Sequence, residues 1–423
     1  MDGLPVVVVG AGPIGLAAAA HLVERGVPTV VLEAGESAGS AVAQWNHVRL
    51  FSPWSELVDS AARRLLEADG WVAPEVDLYP TGAEWAAEYL RPLASALGST
   101  VRFGSRVVGV ARRGRDRVVD SGRDTEPLTV HVRTAAGEER ITARAVIDAS
   151  GTWGTPNPLG SEGLPAIGER EVGDRIVYRV PDLAVEGERY AGRRVAVAGS
   201  GHSALTALSG LVDRGAHVTW LLRRGAAAFG GGEADQLPAR GALGLRAQEA
   251  VRAGRVEVVT GFRTESVVRV GERVVLVAQD GRRLDAVDEV VVLTGFRPDL
   301  TWLSELRLDL DPVLQAPTRL APLIDPNTHS CGTVYPHGAA ELSHPEPDVY
   351  LVGMKSYGRA PTFLALTGYE QTRSIAAHLA GDHTAAAQIA LTLPTSGTCG
   401  GSGLFDHPTT PQPAGCCTPT TTL

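Results

Sequence analysis

Residues 6–15 of this chain read Val-Val-Val-Val-Gly-Ala-Gly-Pro-Ile-Gly, and this stretch decides the fold. The valines predict a buried strand, and the mostly apolar run Leu16–Glu24 predicts a helix directly after the glycines. In such a unit Gly10 allows the tight turn, Gly12 lets the backbone approach a pyrophosphate, and Gly15 lets helix pack on strand. The stretch therefore predicts a dinucleotide-binding unit rather than a fortuitous glycine-rich turn.

The residues around this turn indicate what the first site binds. The helix N-terminus offers free N–H groups and a partial positive charge to phosphates, and Pro13 in the turn before it is a predicted cofactor-binding residue. The next predicted strand, Thr29–Leu32, ends on Glu33, whose carboxylate is placed to hold both hydroxyls of a ribose. Because a carboxylate repels a 2′-phosphate, the first site is predicted to take a dinucleotide that lacks one.

A second copy of the signature, Gly-Ser-Gly-His-Ser-Ala, lies at residues 199–204. The strand Arg194–Ala198 precedes it, the helix Ser203–Val212 follows, and the next strand, His217–Leu222, ends on two arginines instead of an acid. Arginine neutralises a 2′-phosphate and binds it in bidentate fashion, so this site is predicted to prefer NADPH over NADH. The alternative is that the arginines form only a solvated turn. The predicted binding residues of this copy are Gly199, Gly201, His202, Ser203, Ala204, Arg223 and Arg224.

Composition narrows the functional classes. The chain has 423 residues, a net charge of −9 and no uninterrupted apolar run of membrane-spanning length. Nucleic acids and anionic membranes require a basic surface, so neither is expected as a partner. No basic region precedes the first apolar stretch, and a cytoplasmic location is expected. The four cysteines, three of them within residues 399–423, do not form a disulfide framework.

Arginine replaces lysine almost throughout the chain. Of the 39 basic residues, Lys355 is the single lysine. A lysine kept where arginine fills every other basic position indicates chemistry that arginine cannot perform, or survival by chance. Both interpretations stay open on the sequence alone.

The rest of the chain is predicted to alternate strands and helices. Residues 35–80 are irregular and rich in Trp, Phe and Pro, which is typical of a loop that covers a ligand. Helices are predicted over Glu84–Leu97 and Gly368–Leu379. Further strands are predicted near residues 101–112, 128–134, 139–143, 145–149, 256–260, 266–270, 274–278, 288–293 and 348–352.

Two segments follow predicted strands where the chain would cross between its nucleotide-binding units. They read Ala-Ser-Gly-Thr-Trp-Gly-Thr-Pro at residues 149–156 and Thr-Gly-Phe-Arg-Pro-Asp at residues 294–299. Together with both glycine motifs they make residues 1–385 resemble the flavoproteins with two dinucleotide-binding domains, and among them the flavin-containing monooxygenase-like branch. The resemblance implies an α/β fold of two Rossmann-like domains, with FAD in the first site and NADPH in the second. The NADPH domain is then inserted into a discontinuous FAD domain.

The resemblance also implies domain boundaries and further site residues. The FAD-binding domain is expected over residues 1–155 and 294–390, the NADPH-binding domain over 156–293, and a disordered, cysteine-containing tail over 391–423. Positions that match further cofactor contacts of the family are Trp45, Val107, Gly151, Gly295 and Gly353. The segment 353–363 matches the part of these proteins that closes over the isoalloxazine ring.

Two features depart from the pattern of the branch. Met354 stands where many relatives have an aspartate on the ribityl chain. The monooxygenase fingerprint Phe-x-Gly-x-x-x-His is missing from residues 172–183, which weighs against oxygenation but not against flavin binding. The segment 354–363 is similar to bacterial flavoproteins that are often encoded among arsenic-resistance genes, an association that does not identify a substrate.

The implied function is NADPH-dependent reduction of FAD followed by oxygenation of a small soft nucleophile of sulfur, nitrogen or trivalent arsenic, with O2 as second substrate. Lys355, Tyr357 and Trp45 are the candidate catalytic residues, which would exclude water and hold developing negative charge. The first alternative is a reductase that passes electrons to a disulfide, quinone or metal species. The second alternative is a non-catalytic NADPH sensor.

Cysteine and histidine positions bear on these alternatives. Disulfide reductases of this fold carry a Cys-x-x-Cys or similar pair, and this chain has none. The adjacent Cys416 and Cys417 resemble the tail pair of mercuric reductases, although an inert pair is the stronger interpretation. The positions of His329, Cys331, His337 and His344 match no common zinc pattern, so no metal site is expected.

Overall fold

The structure, a computed structural model, describes residues 3–230, 237–327, 336–361 and 363–391. Two five-stranded parallel sheets with helices packed on them are accompanied by two small antiparallel sheets. This is the α/β fold of two Rossmann-like units that the sequence predicts. The tail cysteines fall outside the described residues, and the predicted domain boundaries stay predictions.

The regular elements have the following bounds. The strands are β1 (Val6–Val9), β2 (Thr29–Leu32), β3 (Val101–Arg102), β4 (Arg106–Arg112), β5 (Leu128–Thr134), β6 (Gly137–Ala143), β7 (Ala145–Asp148), β8 (Ile176–Val177), β9 (Arg194–Ala198), β10 (His217–Leu221), β11 (Val256–Val259), β12 (Thr264–Val270), β13 (Arg273–Ala278), β14 (Glu289–Val292) and β15 (Val349–Leu351). The α-helices are α1 (Pro13–Glu24), α2 (Trp54–Leu57), α3 (Ser60–Ala68), α4 (Gly82–Trp85), α5 (Arg91–Leu97), α6 (Gly187–Tyr190), α7 (His202–Asp213), α8 (Pro238–Arg252), α9 (Ala321–Ile324), α10 (Ala365–Leu379) and α11 (His383–Ala387). Short 3-10 helices cover Val42–Trp45, Gly98–Thr100, Gly173–Arg175, Thr301–Leu303 and Gly353–Tyr357.

The first sheet has the order β15-β7-β1-β2-β3 with every pair parallel. All four valines of β1 are buried, as expected for a central parallel strand covered on both faces. Its last strand, β15, comes from the far end of the chain and pairs with β7 in the register Val349 to Val146. The sheet is therefore completed only after the chain has built the second sheet and returned.

The second sheet has the order β11-β10-β9-β14-β8, again with parallel pairs throughout. In it β9 takes the central place that β1 has in the first sheet, and each of the two strands leads into a glycine turn and a helix. The small sheets are the antiparallel sets β4-β5-β6 and β12-β13. Antiparallel neighbours can be joined by short turns, as β5 to β6 and β12 to β13 are, whereas parallel neighbours need longer crossover connections.

One predicted element differs in its internal structure. The helix predicted over Glu84–Leu97 starts two residues earlier and contains a π-helical segment, Ala86–Leu90, between α4 and α5. Pro92 has no backbone N–H for the ordinary ladder, and the Arg91 N–H bonds five residues back to Ala86. The other predicted elements begin and end within about three residues of their predicted positions, except that residues 101–112 form two strands instead of one.

The prediction that residues 35–80 are irregular is wrong in part, because α2 and α3 lie there; Asp59 caps α3, and Ala61, Ala62 and Leu66 bury one of its faces. The helix α8 was not predicted.

No helix in the described part of the chain combines the length and the apolar character needed to cross a bilayer.

Candidate active site

The turn between β1 and α1 is shaped by its three glycines. Gly10 has a φ of +101°, and a Cβ there would lie 2.8 Å from the carbonyl oxygen of Ala149. A Cβ on Gly15 would lie 1.9 Å from the carbonyl oxygen of Gly10, so neither position accepts a side chain. At Gly12, in contrast, a Cβ would meet no heavy atom of the described residues within 4 Å. The open side of the turn is thus the side at which a pyrophosphate is predicted to approach, and the turn fits that group.

Glu33 directly follows β2, and its carboxylate is hydrogen-bonded to the backbone of the glycine turn. Its Oε2 accepts a hydrogen bond of 2.7 Å from the Ala11 N–H, and its Oε1 accepts one of 2.8 Å from the Gly35 N–H. The carboxylate is largely buried beside the N-terminus of α1, where Pro13 is the first helical residue. An acid at this place, next to free helix N–H groups, is the set of groups that an adenosine ribose and a pyrophosphate require.

The other positions matched to FAD lie on three separate elements. Val107 is half-buried on β4 opposite Val132 of β5. Gly151 follows β7 with a φ of +69° and open space beside its Cα, and Gly295 follows β14 with a φ of +93°. The left-handed backbone at both positions explains why a glycine stands in the turn after each of these strands.

The segment after β15 packs on the first turn of α1. A Cβ on Gly353 would lie 3.1 Å from Cγ1 of Ile14, and a Cβ on Gly368 of α10 would lie 2.5 Å from Cδ1 of the same side chain. The Gly353 N–H donates a hydrogen bond of 2.7 Å to Oε1 of the buried Gln371. The glycine turn, this segment and α10 therefore meet at one place.

Tyr357 lies in this segment and is almost fully buried. Its ring is 5.8 Å from that of His337 and 5.1 Å from that of Phe363. Burial raises the pKa of the Tyr357 phenol, which keeps the side chain neutral at physiological pH. Tyr357 is thus a buried, neutral side chain.

Lys355 lies in the same 3-10 helix with its side chain fully buried. Its Nζ is 2.6 Å from Oδ2 of Asp148 and 3.0 Å from Oγ of Ser150. It also lies 4.6 Å from the ring centre of Trp302. Burial acts to raise the pKa of the nearby Asp299, but hydrogen bonds from Thr301 and the Lys355 charge lower it.

Trp45, the third candidate catalytic residue, belongs to a different cluster. A Cβ on Gly82 would lie 2.9 Å from the Trp45 ring, and the ring of Trp85 is 6.5 Å away. The structure brings Lys355 and Tyr357 together on one short helix and packs Trp45 against α4. Their catalytic roles stay predictions.

The second glycine turn repeats the geometry of the first. Gly199 has a φ of +131°, and a Cβ there would lie 2.2 Å from the carbonyl oxygen of Leu293. A Cβ on Gly201 would meet no heavy atom of the described residues within 4 Å. Ala204 replaces the third glycine and is fully buried, while Ser203 is the second residue of α7. This turn also leaves room for a pyrophosphate at its middle glycine.

A loop from the first unit reaches this second turn. The ring of Phe51 lies 5.5 Å from that of His202, the first residue of α7, in an edge-to-face arrangement. His47, in the same loop, forms a 3.1 Å hydrogen bond with the carbonyl oxygen of Val180. The loop predicted to cover a ligand thus contacts the nucleotide turn of the other unit.

The two arginines follow β10 at the carboxyl end of the second sheet. The Arg223 guanidinium is exposed and donates a 3.2 Å hydrogen bond to the Ser161 carbonyl oxygen. The Arg224 carbonyl oxygen accepts a 2.8 Å hydrogen bond from the Gly261 N–H. Both side chains stand on the strand end where a 2′-phosphate is predicted to lie.

The two crossover segments, residues 149–156 and 294–299, form a ribbon. Pro156 and Phe296 pair as an antiparallel bridge, and the Asn157 N–H donates a 2.8 Å hydrogen bond to the Gly295 carbonyl oxygen. The Trp153 ring stacks on Phe296 with 4.9 Å between ring centres. The chain thus leaves the first sheet and returns to it through two hydrogen-bonded strands.

The histidines considered for a metal site have other partners. His337 is hydrogen-bonded to Gln371 at 2.8 Å. His344 Nδ1 accepts a 3.2 Å hydrogen bond from the Asp309 N–H, and burial lowers its pKa to about 4. His329 and Cys331 lie outside the described residues. Among the residues that the structure describes, no group of three or more His, Cys, Asp or Glu side chains could hold a metal ion.

Sequence reasoning missed Asp148, Trp302 and Gln371. One signal was available, because Asp148 is an acid at the end of the buried apolar strand Ala145–Ile147 and an acid there requires a partner. The partners of Trp302 and Gln371 lie far away in the sequence and leave no local pattern.

Comparison with known proteins identifies the family. Residues 7–333 match the model of the pyridine nucleotide-disulphide oxidoreductases. The chain belongs to this family. It is an FAD- and NADP(H)-dependent oxidoreductase, of monooxygenase or reductase type.

Proteins similar to this oxidoreductase include a monooxygenase as well as reductases. The oxidoreductase is 32% identical over 218 residues to the indole-3-pyruvate monooxygenase YUCCA1 of Oryza sativa, a match that covers 51% of this chain and 47% of that protein. It is 27% identical to a ferredoxin–NADP reductase of Ignicoccus hospitalis over 72% of this chain and 81% of that protein. The bacillithiol disulfide reductase of Bacillus cereus has the same fold, with a TM-score of 0.66, 21% identity and coverage of 89% and 99% of the two chains.

Proposed function

We propose that this oxidoreductase is a flavin monooxygenase that uses NADPH and O2 to oxygenate a small soft nucleophile of sulfur, nitrogen or trivalent arsenic. The observation that carries the proposal is the pair of glycine turns, which the crossover ribbon joins. In each turn a side chain at the first glycine would clash with backbone, whereas the middle glycine has free space beside it. A chain that binds one dinucleotide at each turn can use both in one reaction, in which electrons pass from one dinucleotide to the other. The similarity to YUCCA1 supports oxygenation as the outcome. We place this activity in the cytoplasm.

The binding residues divide between the two turns. We assign FAD to the first turn, since Glu33 lies beside it as a ribose acceptor. We assign NADPH to the second turn, since Arg223 and Arg224 follow β10 there. Held by these residues, the two dinucleotides would supply the redox chemistry of the reaction.

The side chains around the segment 353–363 then control access to the reacting atoms. Tyr357 and His337 are buried there and exclude water, which favours productive use of reducing equivalents over side reactions. Gln371 holds the start of the segment through the Gly353 N–H and so positions it on α1. The contribution of these residues is therefore placement and desolvation.

A reductase that delivers electrons to a diffusible disulfide, quinone or metal species is the second candidate. The match to a ferredoxin–NADP reductase over 81% of that protein favours it. No Cys-x-x-Cys pair occurs in the sequence, so this candidate needs an acceptor that diffuses to the flavin.

A two-step mixing experiment separates these functions. The FAD-loaded protein is reduced anaerobically with NADPH while loss of the oxidised flavin absorbance is timed, and is then mixed with isotopically labelled O2 and a thioether, an amine or an arsenite. Label in the product establishes the monooxygenase. Fast reduction with turnover only on an anaerobic disulfide or quinone establishes the reductase, and no reduction by NADPH refutes both in favour of the sensor. Gly201→Ala is the matched control, because it should weaken NADPH binding without touching the first turn.

A further inference from the structure

The single lysine of the chain is held by an ion pair, a hydrogen bond and the face of an aromatic ring. The Lys355 ammonium group carries three N–H bonds, and it has three close neighbours: Oδ2 of Asp148 at 2.6 Å, Oγ of Ser150 at 3.0 Å and the Trp302 ring at 4.6 Å. Its side chain has no exposed surface, and neither has that of Asp148. A group so enclosed is not placed to exchange protons with a substrate.

The three neighbours come from the two places where the chain passes between its sheets. Asp148 ends β7, and Ser150 is the second residue of the first crossover. Trp302 lies in the 3-10 helix that follows the second crossover. Lys355 itself follows β15. One ammonium group therefore joins the start of the first crossover and the helix that follows the second crossover to the segment that packs on the first glycine turn.

We propose that Lys355 is a positioning residue that fixes the two crossovers against the segment after β15 and thereby sets the orientation of the NADPH unit towards the FAD unit. The inference rests on the proposed two-dinucleotide function. Only two chain passages link the two sheets, one between β7 and β8 and the other between β14 and β15, so a contact that ties them together restrains the relative placement of both units. Hydride transfer depends on that placement more steeply than binding of either dinucleotide does.

The surroundings explain why this basic residue is a lysine. Ser150 already donates to the other oxygen of Asp148, through its hydroxyl at 2.6 Å and its N–H at 3.0 Å. The pocket around the Lys355 ammonium group therefore consists of Oδ2 of Asp148, Oγ of Ser150 and the face of the Trp302 ring. These neighbours match a compact ammonium group with three donors. A planar guanidinium with five donors needs more acceptors. The buried Arg112 has them, in Glu346 and two backbone carbonyl groups.

The test compares a neutral pair with the native ion pair. The double variant Asp148→Asn/Lys355→Met removes both charges, so that neither is left buried alone. Arg133→Met is the control, because it removes a basic residue from an exposed ion pair with Glu138. We expect the double variant to keep FAD and to bind NADPH within about threefold of the wild type, while flavin reduction at saturating NADPH slows by about tenfold to a hundredfold. The shape of the pH profile should not change.

A readout without FAD accompanies the kinetics. Limited chymotryptic cleavage of the apoprotein after Trp153 and Phe296 measures how firmly the crossover ribbon is held, and it should be several times faster in the double variant than in the wild type or in Arg133→Met. Trp302→Leu, which removes only the ring contact, should shift both readouts in the same direction by less. If the double variant does not fold, Trp302→Leu alone decides the outcome.

Unchanged reduction kinetics and unchanged cleavage would overturn the proposal, and so would a displaced limb of the pH profile, which indicates proton transfer by Lys355. If NADPH does not reduce the wild-type flavin, the proposed function fails. The cleavage experiment then still decides whether Lys355 holds the ribbon.

Discussion

Replacing Gly12 with alanine tests whether the first glycine turn binds a cofactor or only shapes the fold. Gly12 has φ −81° and ψ −177°, an extended conformation open to any residue, and a Cβ there has free space around it. Alanine at a helix N-cap costs about 0.5–1 kcal/mol relative to glycine. Alanine also restricts the unfolded chain more than glycine does, and this stabilises the folded state by about 0.4–1 kcal/mol. The apoprotein should therefore change its melting temperature by no more than about 2 °C.

The affinity for FAD should respond very differently. If the pyrophosphate approaches the turn at Gly12, the added methyl group takes the same space, and we expect the Kd for FAD to rise at least about tenfold, or about 1.4 kcal/mol. Titration of apoprotein with FAD, followed by quenching of flavin fluorescence, measures this change. Wild-type affinity in Gly12→Ala would refute the assignment of FAD to this turn.

Gly15→Ala supplies the contrasting variant. Its Cβ would lie 1.9 Å from the carbonyl oxygen of Gly10, so backbone must move before the helix can pack. We expect this change to destabilise the apoprotein itself by about 1–3 kcal/mol or more. Gly12→Ala thus tests whether the turn leaves space for a ligand, and Gly15→Ala tests whether it leaves space for the packed helix. The glycine motif combines both requirements.

Three further predictions concern nucleotide choice and stability. Exchanging Arg223 and Arg224 for serine should raise the KM for NADPH by about tenfold to a hundredfold and leave that for NADH nearly unchanged, because only the 2′-phosphate loses its partners; equal effects on both nucleotides would contradict the assignment. Glu346→Gln should destabilise the fold by about 3–5 kcal/mol in urea unfolding, since it leaves the buried guanidinium of Arg112 without its 2.7 Å carboxylate partner. For His344 the folded-state pKa of about 4 lies below the ordinary 6.5, so the unfolded chain takes up the proton first and stability should fall by about 2–3 kcal/mol as the pH drops from 6.5 to 4. His344→Gln should flatten that pH dependence, and an unchanged slope would show that another group causes it.

Much of the fold could be predicted because its signals are local. The glycines at the two turns are fixed by steric contact with residues close in the chain or on the next strand, as the 1.9 Å approach of a Gly15 Cβ to Gly10 shows. Buried parallel strands read as apolar runs, which is why β1 and β9 could be predicted. The π-helical segment before Pro92 could not, because its hydrogen-bond shift leaves the apolar pattern of the helix unchanged.

By itself, then, the sequence determined the two dinucleotide turns, the acid after one and the arginines after the other, and the class of fold. Only the tertiary structure decided that Lys355 meets Asp148 and Trp302, and that Phe51 of the first unit reaches His202 of the second. The glycine spacing of a turn and the apolar run of a strand lie in consecutive residues, so the sequence alone indicates both, even where the contacts that require the glycines come from a distant strand. Contacts between residues far apart in the sequence depend on how the sheets pack and on where the chain crosses between them, and no spacing in the sequence records that geometry.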